Sequence, residues 1–246
     1  MDEAHSTITA RIVESFDRFA ASYDGYSALQ VDVAETLLGS ARDLDPQSIL
    51  DIGCGTGHVS VLASRLWPRA RITALDAAPG MLEIVCRKAP GVRIVQSDAS
   101  DIRLNEKFDL IFSSMMLHWL REPEHVVDLW RRLLTPEGRL LVAVPVQGSL
   151  EKWREICSAA DISDPTWAFP SETFLNRLAV TRRIIDHPVR YANLHTFLDS
   201  MKKTGARTSN PDVPRIAIAS LRRAIKRNDG AFLSTFRVLY ADTGQR

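Results

Sequence analysis

Three glycines at alternate positions, Gly53, Gly55 and Gly57, follow the apolar run Ile49-Leu50-Asp51-Ile52 and precede a helical pattern over residues 58–66. A strand that ends in such a loop and re-enters a helix restricts the fold more than any bulk property. Residues without a Cβ let the backbone turn tightly and approach a ligand closely. Asp76 ends the next apolar run, Ile72-Thr73-Ala74-Leu75, where a nucleotide site in a parallel sheet needs an acceptor for two ribose hydroxyls. A dinucleotide fingerprint, Gly-x-Gly-x-x-Gly/Ala, counted from Gly53 places its third small residue at His58. The third glycine instead comes one position early, at Gly57.

Around this loop, short apolar runs alternate with helical patterns. Strands are expected over 48–52, 71–75, 92–96, 108–113 and 138–144, and helices over 58–66, 79–88 and 124–134. This order predicts an α/β fold: a doubly wound, mostly parallel sheet with helices on both faces. Two helical patterns, 9–20 and 27–41, precede it, separated by a turn at 22–25. After Pro145, glycine and prolines punctuate the chain, with helices expected at 149–158, 171–179, 194–204 and 214–227. We read one domain over 1–246: a helical cap over 1–45, a cofactor-binding core over 46–146, a helical lid and substrate region over 147–230, and a terminal strand region over 231–246. There, residues 232–240 return to the sheet as an edge hairpin.

Composition narrows the class further. With 45% hydrophobic and 25% charged residues among 246, the chain is expected to be globular and soluble rather than disordered, collagenous or coiled-coil. No apolar run reaches the roughly 18 residues of a membrane span, and residues 1–10 hold no Lys or Arg. The expectation is a cytoplasmic protein with no leader and no membrane contact. Three widely spaced cysteines, Cys54, Cys86 and Cys157, exclude a disulfide framework and a structural zinc site, and no metal is expected. Charge is unevenly spread: residues 1–176 carry 17 Lys and Arg against 25 Asp and Glu, and residues 177–246 carry 14 against 5. The basic C-terminal part is either a solvated helical face or a landing surface for an anionic partner.

The run Asp51-Ile52-Gly53-Cys54-Gly55-Thr56-Gly57 resembles motif I of the class I S-adenosylmethionine-dependent methyltransferases. Gln96-Ser97-Asp98-Ala99, Phe108-Asp109-Leu110-Ile111-Phe112-Ser113-Ser114 and Leu134-Thr135-Pro136-Glu137-Gly138-Arg139-Leu140 are similar to later motifs of that class, in its order. The resemblance implies a seven-stranded Rossmann-like sheet and S-adenosylmethionine as cofactor, with S-adenosylhomocysteine as product. It implies cofactor contacts from Tyr23, Asp51, Gly53, Gly55, Gly57, Asp76, Ala77, Met81, Asp98, Ala99 and Ser114. Met81 fits either packing on the adenine or the core of its helix.

Both flanks resemble one family, the malonyl-acyl-carrier-protein O-methyltransferases of biotin synthesis. The residues are Val13 through Asp24 continuing to Ala28-Leu29-Gln30, then Val146-Gln147-Gly148-Ser149-Leu150, Phe169-Pro170-Ser171-Glu172, and Leu194 to Ala206 with Met201-Lys202-Lys203-Thr204-Gly205-Ala206. His118-Trp119 departs from the family's usual apolar residue or Gln before Trp. The resemblance implies a carboxylate acceptor on a malonyl thioester and an acidic acyl carrier protein as partner; no nucleic acid is expected, since no Asn/Asp-Pro-Pro-Tyr-like motif stands near Ser113, and a monomer is expected. The alternative acceptor is a free small acid of aconitate type. A carboxylate needs a cation to select it, for which the candidates are Arg154, Arg177, Arg182 and Arg183, each also readable as surface. Tyr23 is implied as a flap over cofactor and substrate. His118 is either an acceptor contact or a structural histidine. Carrier docking is assigned to Lys202, Lys203, Arg222, Arg223, Lys226 and Arg227, the last four on one helical face.

Overall fold

A computed structural model describes residues 3–164, 166, 169–171, 181–205 and 218–243. Its elements in chain order are α1 (Glu3–Tyr23), a 3-10 turn (Asp24–Tyr26), α2 (Ala28–Gly39), β1 (Ser48–Ile52), α3 (His58–Leu66), β2 (Arg71–Asp76), α4 (Pro79–Lys88), β3 (Arg93–Gln96) and β4 (Phe108–Ser114). There follow a second 3-10 turn (Leu117–Trp119), α5 (Pro123–Arg131), β5 (Leu134–Pro145), α6 (Glu151–Ala159), β6 (Thr181–Tyr191), α7 (Leu194–Lys203), α8 (Ile218–Arg227) and β7 (Phe232–Asp242). The strands form one seven-stranded sheet in the order β3-β2-β1-β4-β5-β7-β6, with β7 antiparallel to both its neighbours. This is the predicted doubly wound, mostly parallel architecture.

The central strands read as continuous apolar runs because both faces of the sheet are covered. Ile49, Leu110, Phe112, Leu141 and Ala143 face the layer holding α2, α3 and the helices after β5. Leu50, Ile52, Ile111, Leu140, Val142 and Val144 face the layer of α5, where Trp130 is fully buried. At the N-terminal edge, Asp109 accepts from Gln47 N (2.9 Å), Ser48 N (3.0 Å) and Thr135 Oγ1 (3.1 Å), tying β4 to the starts of β1 and β5.

Two expectations change. The helix expected over 124–134 stops at Arg131, because the chain turns into β5 at Leu134, which pairs with Phe108 ahead of a register shift. The expected helical lid also contains a strand, β6, which occupies the sheet edge and leaves β7 inside as its antiparallel partner. The buried His187 pins this edge to α2: its Nδ1 lies 2.6 Å from Asp32 Oδ2 and its Nε2 lies 2.8 Å from the Tyr240 hydroxyl. The helix expected at 171–179 falls almost wholly outside the described residues. Among the described residues no helix is long and apolar enough to cross a membrane.

Candidate active site

The site grows from the loop between β1 and α3. All three glycines adopt positive φ, +69° at Gly53, +53° at Gly55 and +86° at Gly57, a region open to glycine at little cost. A Cβ on Gly53 would stand 2.8 Å from Met116 Cβ, and one on Gly57 would stand 3.0 Å from Val85 Cγ2. Gly57 therefore serves the close packing of α3 against α4, while Gly53 and Gly55 line the pocket above the loop.

Asp76, at the end of β2, fixes the rim of that pocket. Its Oδ2 accepts from Gly55 N and its Oδ1 from Ala78 N, both at 2.9 Å. Burial raises its carboxyl above the usual range, against the pull of these backbone donors. Each oxygen keeps lone pairs for further donors. Asp51 behaves differently. It is fully buried beneath the loop and accepts from Ser60 Oγ at 2.6 Å, and burial pushes its carboxyl up to about 7. Asp51 and Gly57 do not line the pocket; they shape the loop that does.

Two pockets adjoin at the C-terminal ends of the parallel strands, where open α/β sheets bind ligands. The first spans about 780 Å³ with its open mouth and is lined by Gly53, Gly55, Asp76, Ala77, Met81, Asp98, Ala99 and Ser114. Met81 meets both of its readings: it lines this pocket and packs with Ala20 and Ala78 in the core. The second spans about 750 Å³ with its open mouth and is lined by Leu29, Leu150, Phe169, Tyr191 and Phe236 beside His118, Gln30, Tyr26, Thr166, Ser200 and Thr204. Phe16, Tyr23, Met115 and Trp119 line both. Met115 holds a positive φ of 55° just past β4, an uncommon strain for a side chain other than glycine and one found at functional sites.

The aromatic partition is held from several sides. Phe16 and Trp119 meet edge to face at 5.5 Å. Tyr23 sits at the end of α1, and burial, then the charges of Asp76 and Asp24, keep its phenol protonated. Behind it Asp24 accepts from Thr56 Oγ1 at 2.5 Å and pairs with Lys88 Nζ at 2.9 Å. Burial alone would raise the Asp24 carboxyl, but these partners and His58 hold it below the usual range. The His118 ring lies 4.8 Å from Trp119 and 5.7 Å from Phe169, and burial pushes it down to about 3. It is a neutral imidazole facing a pocket.

Among the described residues, the expected arginine clamp is not assembled. Among the described residues no arginine or lysine lines the second pocket. Arg154 stands one layer behind Phe169, its guanidinium 5.6 Å from that ring, and its hydrogen bonds go to Asp164 Oδ2 (3.1 Å) and the Ser149 carbonyl. Arg182 and Arg183 lie at the start of β6, in a groove with Arg139 and Asp242. Tyr191, at the far end of the same strand, is the β6 residue on the pocket. Arg177 lies outside the described residues. Of the expected docking residues, Lys202, Arg222, Arg223, Lys226 and Arg227 are exposed. Lys203 is drawn inward, donating to the Tyr26 hydroxyl at 2.9 Å. Gln30 and Tyr26 enter the pocket without having been expected as site residues; Gln30 stood in the N-terminal flank that carries the family resemblance, and the only sequence signal of Tyr26 was a place on the helical cap.

The glycine loop, the acid ending β2 and the paired pockets define a class I S-adenosylmethionine-dependent methyltransferase, and a methyltransferase-domain family model matches residues 50–142. The fold agrees with solved structures: YcgJ from Bacillus subtilis (TM-score 0.62, 16% identity, 87% of this chain and 98% of that one), and the N-methyltransferase NodS from Bradyrhizobium japonicum (TM-score 0.53, 17% identity, 92% and 98%). Two curated relatives carry the same name, malonyl-[acyl-carrier protein] O-methyltransferase. The one from Serratia marcescens is 30% identical over 254 residues, covering 98% of each chain. That from Methylococcus capsulatus is 32% identical over 224 residues, covering 82% of this chain and 78% of its own. The chain belongs to the malonyl-[acyl-carrier protein] O-methyltransferase family.

Proposed function

We propose that the chain methylates the free carboxylate of a malonyl group carried as a thioester on acyl carrier protein, an early step of biotin synthesis. The observation that carries this reading is the pair of pockets with one shared wall: a lobe over the glycine loop rimmed by Asp76 and Asp98, and beside it an aromatic lobe with hydroxyl and amide groups in its wall, meeting at Phe16, Tyr23, Met115 and Trp119.

The first lobe suits S-adenosylmethionine, which when bound supplies an electrophilic methyl group on a positively charged sulfur. The closeness of Gly53 to Met116 keeps the loop low, and Asp76 is already oriented by Gly55 and Ala78 to accept from ribose hydroxyls. Asp98, held by Ser100 N (2.8 Å) and Ser100 Oγ (2.6 Å), stands at the same rim for the adenine. No proton has to move: a carboxylate oxygen forms the new bond to the methyl carbon as the carbon–sulfur pair stays with sulfur. The chain's task is alignment and exclusion of water, and Tyr23, Phe16 and Trp119 form the partition across which acceptor and methyl group meet.

The exposed basic residues Lys202, Arg222, Arg223, Lys226 and Arg227 suit an acidic carrier protein. The test is mass spectrometry of the purified protein with S-adenosylmethionine and, in parallel, malonyl-acyl carrier protein, malonyl-coenzyme A and free aconitate. A methyl ester formed fastest on the carrier-bound malonyl group is the expected result. Modification of the free acid alone, or of none of the three, overturns the acceptor assignment.

A further inference from the structure

Two residues that line the acceptor pocket each carry a buried polar atom with no hydrogen-bond partner among the described residues, Gln30 Oε1 and His118 Nδ1. They come from separate elements, Gln30 from α2 and His118 from the 3-10 turn after β4. Buried polar groups in native proteins are nearly always satisfied, so two orphans on one pocket wall point to a ligand that completes them. The rest of the wall is apolar and aromatic apart from hydroxyl groups, those of Thr166, Ser200, Thr204 and the tyrosines, and no cation among the described residues lines it.

We propose that Gln30 and His118 are the acceptor-recognising pair of this enzyme, neutral donors that hold the oxygen atoms of a carboxylate where a cation clamp was expected. The inference rests on the carboxylate reading above and deepens it. A carboxylate only accepts hydrogen bonds, so each partner must donate. The His118 ring is neutral, which leaves it one N–H and one lone pair. The Gln30 amide presents its NH₂ group after a half-turn of its terminal torsion, since amide oxygen and nitrogen are interchangeable in shape. A guanidinium would bind a carboxylate more tightly, but it would also draw charge from the oxygen that must attack. Neutral donors orient that oxygen and leave its charge to be balanced by the cofactor's positive sulfur.

The test compares two probes on the enzyme saturated with S-adenosylhomocysteine: malonyl-pantetheine and butyryl-pantetheine, which lacks the carboxylate. Calorimetry is expected to give a preference for malonyl of at least about 10-fold, a scale set by leaving site polar groups unpaired. His118→Leu and Gln30→Leu should each remove most of that preference by weakening malonyl binding while leaving butyryl and S-adenosylhomocysteine binding unchanged. In turnover on malonyl-acyl carrier protein, KM should rise about 10-fold with kcat changed far less, and His118→Gln should restore most of the loss. Equal weakening of both probes, or a preference that survives both leucine variants, overturns the pair and leaves the carboxylate reading intact. A parent enzyme that shows no preference for malonyl but methylates aconitate overturns the malonyl reading instead. The same variants are then scored on aconitate against its methyl ester, where loss of discrimination upholds the pair and its retention overturns it.

Discussion

Asp51, buried, and Asp76, half-buried at the pocket rim, are carboxylates of one loop, and their hydrogen bonds set their tasks. Asp76 receives backbone donors and faces the cofactor pocket; Asp51 lies sealed under the loop with Ser60 Oγ on it, its carboxyl pushed up to about 7 by burial. Between pH 4 and pH 7 the folded chain thus holds a proton on Asp51 that the unfolded chain has released. Stability from this group is complete below about pH 4 and is lost as pH rises through about 7. Thermal melts of Asp51→Asn against the parent should therefore shift in the variant's favour between pH 4 and pH 8, by several degrees for a linkage on the order of a few kcal/mol. Both Gly53 and Gly55 sit at positive φ, so alanine strains either backbone, and the two separate steric crowding from occupancy of the pocket. Gly53→Ala brings a Cβ within 2.8 Å of Met116 Cβ at φ +69°, so it should lower the melting temperature and weaken S-adenosylhomocysteine binding at least about 10-fold. A Cβ on Gly55 meets no atom within 4 Å but enters the pocket. Gly55→Ala should weaken cofactor binding with a smaller loss of melting temperature, as read by calorimetry beside thermal melts.

Helix α1 is the cover of the cofactor lobe, and it is fastened on two sides. Asp17 Oδ1 accepts from Gly80 N at 2.6 Å, in the first turn of α4, which has no side-chain cap of its own at Ala78. Asp17 thus caps α4 from another helix, leaving α1 across the pocket mouth. On the other side Ser15 and Ser22 donate to the carbonyls of Gly205 and Lys203, both at 3.1 Å. Asp17→Ala should remove about 1 kcal/mol, the usual worth of a cap, raise the dissociation constant for S-adenosylhomocysteine several-fold, and speed limited proteolysis within α1. Cofactor should restore protection in the parent more fully than in the variant. Such fastening was invisible in the sequence, since a carboxylate on an amphipathic helix reads only as polar face. β6 was hidden for another reason. As the outermost strand it pairs on one side only, and His187 is its single buried residue. Pro188 sits within it, tolerated because an edge strand need not donate on its free side. Its sequence therefore lacked both the apolar run and the alternation that exposed β1, β2, β4 and β5.

Across the whole molecule, legibility followed burial. From residue 48 to 145 the parallel strands β1, β2, β4 and β5 are largely buried, so their apolar runs, the glycine loop and Asp76 could be located from sequence. The acceptor lobe is assembled from α1, α2, the turn after β4, β6 and α7, distant in sequence and joined only by the fold. The cation that a carboxylate acceptor needs, together with the basic C-terminal part, suggested lid arginines as its clamp, yet Arg182 and Arg183 lie in the groove with Asp242, Arg154 is occupied by Asp164, and Arg177 lies outside the described residues. The same charge asymmetry fits docking better. On α8, Ala224 is buried with Leu221 and Ile225 half-buried, which leaves Arg222, Arg223, Lys226 and Arg227 together on the exposed face. Four like charges there repel one another unless an acidic surface meets them, and attraction of that kind acts mainly on encounter and weakens with salt. Replacing all four with glutamate should raise KM for malonyl-acyl carrier protein at least about 10-fold while leaving kcat, the melting temperature and turnover of malonyl-pantetheine near the parent values. In the parent, KM for the carrier-bound substrate should climb with sodium chloride and that for malonyl-pantetheine should not. A variant that loses both substrates alike would assign α8 to the fold, and one that loses neither would move the carrier protein to another face.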